Sequence, residues 1–124
     1  VLEPIMAYLM VAQRQYEDKR LAGNYNIGPD EGDCLTTGEI ATLFCENWNA
    51  SIGDHIKWIN KSDGGPHEAG YLKLDCSRLK KVFGWKERIS AKQMIKMTVE
   101  WYYELTKGKR QLREKIDKQI YEVR

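Results

Sequence analysis

The stretch Thr36-Thr37-Gly38-Glu39-Ile40-Ala41-Thr42-Leu43-Phe44-Cys45-Glu46-Asn47-Trp48 carries two signals at once. Its opening has the form of a capping box, in which a Thr oxygen accepts an early helical N–H and a Glu three residues on reaches back. Ile40, Leu43, Phe44 and Trp48 then fall on one face at core spacing. Ser90 to Gln93 repeats the capping form, and Met94, Met97, Trp101 and Leu105 follow as one stripe, widened by Ile95, Val99 and Tyr102. Two capped amphipathic helices predict a core made mainly by packing helices.

Upstream, Leu2 to Ala22 reads as a further helix, with Pro4 in the first turn where its missing N–H is not needed. Ile5, Leu9, Ala12 and Tyr16 fall on one stripe, with Met6 and Met10 beside it and Gly23 as a left-handed stop. Asn24 to Ile27 reads as an edge strand running through Gly28-Pro29 into a polar, acidic loop. His55 to Ile59 alternates weakly, and Tyr71 to Leu74 places Leu72 and Leu74 on one side, so both read as short strands. Asp75 or Ser77 caps a short helix that buries Leu79, Val82 and Phe83 and ends at Gly84. Gly108 interrupts the helix begun at Ser90. Leu112, Ile116, Ile120 and Val123 give a last stripe, on an amphipathic helix over 109–124, that must pack on something. The expected fold class is α+β, mainly helical with short strands.

The chain has 124 residues, room for one domain, and its four Trp and seven Tyr supply a core that argues against disorder. The longest uncharged run, Pro4 to Gln13, has ten residues, so no transmembrane helix is expected. Twenty Lys+Arg against 18 Asp+Glu give a net charge of +2, with no overall pull toward nucleic acid or membrane. The stretch Lys107 to Arg124 is locally basic, with seven basic and three acidic residues. It reads first as a solvated helix face and second as a contact for an acidic partner. Cys34, Cys45 and Cys76 are odd in number and lack metal-ligand spacing, which points to free thiols in a reducing cytoplasm. A strong amphipathic pattern starting at once from Val1 suggests a piece of a longer chain.

No glycine loop of phosphate-binding form and no βαβ unit is present, so a self-contained dinucleotide site is not expected. Tyr103 and Lys107 match the Tyr-x-x-x-Lys spacing of a proton-transfer pair, but no cofactor fold precedes them, and the match reads as a surface coincidence. His55 and His67 have no partners at metal or triad spacing. His67-Glu68, after Gly64-Gly65-Pro66, is the polar pair with most promise, either as a ligand edge or as a solvated loop.

Several segments, in this order, resemble the C-terminal part of the extended short-chain dehydrogenases/reductases that modify nucleotide sugars. They are Val1-Leu2-Glu3-Pro4, Tyr25-Asn26-Ile27-Gly28-Pro29, Thr37-Gly38-Glu39-Ile40, Leu74-Asp75-Cys76-Ser77, Phe83-Gly84-Trp85 and Thr98-Val99-Glu100-Trp101-Tyr102. Within that superfamily, Pro66-His67-Glu68-Ala69, Tyr71-Leu72-Lys73-Leu74-Asp75 and Lys118-Gln119-Ile120-Tyr121 are similar to the CDP-glucose 4,6-dehydratases. The resemblance covers nearly the whole chain.

It implies that residues 1–124 form the sugar-nucleotide-binding lobe of an enzyme that oxidises C4 of a CDP-hexose, eliminates water across C5 and C6, and returns the hydride to C6. NAD and the catalytic Tyr/Lys pair would belong to an N-terminal Rossmann domain outside this sequence, leaving the lobe inert alone. The resemblance places the substrate edge at His67 and Glu68, with Tyr71 and Pro66 shaping the loop and Glu3 at the junction. A lobe without its Rossmann domain would leave an apolar patch and self-associate. Two alternatives stand beside this reading: another nucleotide-sugar epimerase or dehydratase, or a non-enzymatic module binding an acidic partner through its basic C-terminal helix.

Overall fold

The computed structural model describes residues 1–61 and 73–124. Within them run α1 (Leu2–Glu17), α2 (Thr37–Ile52), α3 (Ser77–Phe83), α4 (Ala91–Lys107) and α5 (Lys109–Val123), with 3-10 turns at Lys19–Leu21 and Glu31–Asp33. They fall into two compact units, residues 1–30 with 73–88 and residues 31–61 with 89–124.

In the first unit, Ala7 of α1, Leu79 of α3 and Trp85 form the buried centre, and Met6, Met10, Val11, Tyr25, Ile27 and Phe83 close around it. Tyr25 meets Phe83 edge-on at 4.9 Å, donates its hydroxyl hydrogen to the Leu21 carbonyl at 2.7 Å, and carries the Arg78 guanidinium over its ring at 4.8 Å. The helix expected to reach Ala22 instead ends at Glu17. Asp18 turns extended and its Oδ1 accepts from the Arg20 N–H, so a local side-chain bond replaces the next helical turn. Arg20 also grips both Asp18 oxygens, which holds that carboxyl below its usual pKa.

Helix α1 turns a face other than that stripe toward the core of its unit. Ile5, Leu9, Ala12 and Tyr16 are exposed, whereas Glu3 and Ala7 on the opposite side are buried. Both faces are apolar, so hydrophobicity alone does not choose between them. Small Ala7 lets the helix approach Leu79 and Trp85 closely, and Glu3 Oε1 accepts from the Arg88 N–H at 2.9 Å, fixing the rotation.

The second unit is built by α4, which packs against both α2 and α5. The two expected capping boxes are present. Thr36 Oγ1 accepts from the Glu39 N–H at 3.3 Å while Glu39 Oε2 accepts from the Thr36 N–H at 2.7 Å, and Ser90 with Gln93 repeats the arrangement on α4. Gly53 ends α2 at φ +80, in the left-handed region where a side chain is strained. Val99 of α4 and Val123 of α5 are fully buried. Phe44 stacks on Trp48 with ring centres 5.9 Å apart and meets Tyr102 edge-on at 6.3 Å. Helix α5 is rotated relative to its expected stripe: Gln119 is buried, donating Nε2–H to the Met97 carbonyl at 2.7 Å, while neighbouring Ile120 is exposed.

The first capping box yields a stability test. Glu39 has its pKa lowered, chiefly by accepting the Thr36 backbone N–H. A depressed folded-state pKa means a contribution present above the ordinary carboxylate range and lost as pH falls through the lowered value. Thr36→Ala is expected to cost about 1 kcal/mol in a urea melt. Glu39→Gln should keep most of the cap and remove its pH dependence.

The α+β expectation does not hold: among the described residues there is no strand. Asn24 to Ile27 and His55 to Ile59 are irregular, as are Lys73 and Leu74, with Leu74 half-exposed; Tyr71 and Leu72 lie outside the described residues. A strand requires a ladder partner, and here side-chain amides take that role. Asn49 accepts from the Ile56 N–H at 2.9 Å and donates to the Ile56 carbonyl at 3.0 Å, offering the donor–acceptor pair that a neighbouring peptide would. Asn26 likewise donates to the Asp75 carbonyl at 3.2 Å. Trp58 donates its indole N–H to Thr42 Oγ1 at 3.0 Å, pinning the 53–61 segment to α2 by side chains. No helix among the described residues is long and apolar enough to cross a membrane.

Candidate functional site

The first unit carries an open groove of about 640 Å³ lined by Asp30, Lys80, Gly84, Trp85, Lys86 and Glu87. Its construction is local at each end. Asp75 Oδ1 accepts from the Ser77 N–H at 2.9 Å to start α3, which carries Lys80. Gly84, at φ +66, stops that helix and turns the chain so that Trp85 is buried beneath the groove. The Arg88 guanidinium lies 5.2 Å from the Trp85 ring centre, clamping it from outside. Asp30 donates its backbone N–H to Glu87 Oε1 at 2.8 Å, and its carboxylate pairs with the Lys80 ammonium.

Two carboxylates and two lysines make the groove charge-balanced. The bond to Asp30 raises the Lys80 pKa. The groove offers no activated nucleophile. Cys76, buried beside Gly28, has its thiol pKa raised by desolvation, which keeps it inert. Among the described residues no group of acids, histidines and cysteines is placed to hold a metal ion.

Of the residues expected at the substrate edge, Pro66, His67, Glu68 and Tyr71 lie outside the described residues. Glu3 is placed: it is 7% exposed and accepts the Arg88 N–H. Trp85 is 4% exposed and packs in the centre of the unit. In the Tyr103/Lys107 match, the Lys107 ammonium sits 3.8 Å above the centre of the Tyr103 ring and pairs with Glu104 Oε1 at 3.1 Å. An ammonium over the ring face is a cation–π contact. The meeting of Asp30, Lys80 and Glu87 is absent from the sequence expectations. Lys80 is 50 residues from Asp30, and only the turn signals at Gly28-Pro29 and Gly84 mark the region.

No family model matches the chain. The chain is similar to CDP-glucose 4,6-dehydratase. In Salmonella typhimurium strain LT2 that enzyme shares 35% identity over 109 residues, which is 87% of this chain and 29% of the enzyme. The chain thus spans less than a third of its relative's length.

The first turns of α2 and α4 carry their own caps, Thr36 with Glu39 and Ser90 with Gln93.

Proposed function

We propose that this chain is the sugar-nucleotide-holding, C-terminal portion of a cytoplasmic enzyme related to CDP-glucose 4,6-dehydratase, and that NAD and the reacting groups belong to a Rossmann domain of the same enzyme. The 35% identity across 87% of the chain carries the reading. Two features of the chain agree with it. The groove of the first unit holds charged hydrogen-bonding groups, Asp30, Lys80, Lys86 and Glu87, which suits binding. Cys34, Cys45 and Cys76 are free thiols, as suits a reducing compartment.

In this reading His67 and Glu68 hydrogen-bond the CDP-hexose, and Pro66 and Tyr71 set the shape of their loop. Glu3 serves the same edge indirectly, by holding the start of α1 to the turn at Arg88. Proton and hydride transfer take place on other residues, so the chain alone is inactive.

On α5, Lys115 faces Glu100 of α4 and Lys118 faces Glu122.

Isothermal titration of the chain with CDP-glucose and UDP-glucose tests the proposal. CDP-glucose is expected to bind more tightly than UDP-glucose. His67→Ala should weaken it by about tenfold, the loss of one hydrogen bond to a charged group. Equal affinity for both nucleotides would move the assignment to another nucleotide-sugar epimerase or dehydratase. Salt-sensitive binding to a polyanion, with neither sugar nucleotide bound, would favour the interaction module.

A further inference from the structure

We draw no further inference here: the strongest candidate, the open groove of the first unit lined by Met6, Leu9, Met10 and Arg14 of α1 and by Arg88, is a partly apolar face, and nothing in the structure shows what covers it.

Discussion

Leu79→Ala is expected to lower the stability of the first unit by about 2–5 kcal/mol, the range for emptying a fully buried leucine site. Leu79 has no exposed surface and sits between Ala7 and Trp85. Neither neighbour can refill the space. Ala7 has only a methyl group, and Trp85 is held by Arg88 above its ring. The cost therefore belongs in the upper part of the range. Folded domains have only about 5–15 kcal/mol in total, so the loss is large. Trp85 is the only tryptophan in the sequence of that unit, and its indole N–H resonance during a urea titration reports the change directly. Leu79→Met, which keeps the volume, should cost less than about 1.5 kcal/mol. A midpoint for Leu79→Ala indistinguishable from Leu79→Met would show that this leucine does not organise the core.

The second large effect concerns Glu3, and it separates a structural role from a contact with ligand. Its Oε1 accepts the Arg88 backbone N–H within a buried setting. Glu3→Ala deletes that acceptor and leaves a backbone donor in poor surroundings, at a cost of about 1–3 kcal/mol. Glu3→Gln keeps an oxygen where Oε1 stands and should retain most of the stability. If Glu3 acts by holding the turn, sugar-nucleotide affinity follows the folded fraction: Glu3→Gln binds like wild type, and so does Glu3→Ala where it remains folded. A Glu3→Gln chain that melts normally but binds CDP-glucose tenfold more weakly would instead place this carboxylate on the ligand.

The parts of the fold readable from sequence are those encoded by neighbours in the chain. Thr36 with Glu39 and Ser90 with Gln93 are three residues apart, and each box fixes its helix start without help from distant residues. The stop at Gly84 is local for the same reason. The strand expectations fail because strand character depends on a partner. Nothing in His55 to Ile59 reveals that the Asn49 side chain will bond the Ile56 peptide. The inward faces of α1 and α5 are set on other grounds. Helix α1 is apolar on two sides, and only the Glu3–Arg88 bond and the close approach at Ala7 decide between them. On α5 a glutamine is buried beside an exposed isoleucine, because it can reach the Met97 carbonyl. For the candidate site, the contacts of Asp30 with Lys80 and Glu87 span 50 and 57 residues with no shared period. A single sequence carries no signal for such a meeting.

The central claim is that this chain grips an activated sugar for chemistry performed on other residues. A residue-resolved NMR titration of the labelled chain with CDP-glucose addresses it most directly, with product formation followed in the same tube. Shifts confined to the Pro66–Tyr71 segment and its surroundings, with the sugar nucleotide recovered unchanged, are the expected result. Shifts confined to α5 that vanish on adding salt, or conversion of CDP-glucose by the chain alone, would contradict the account.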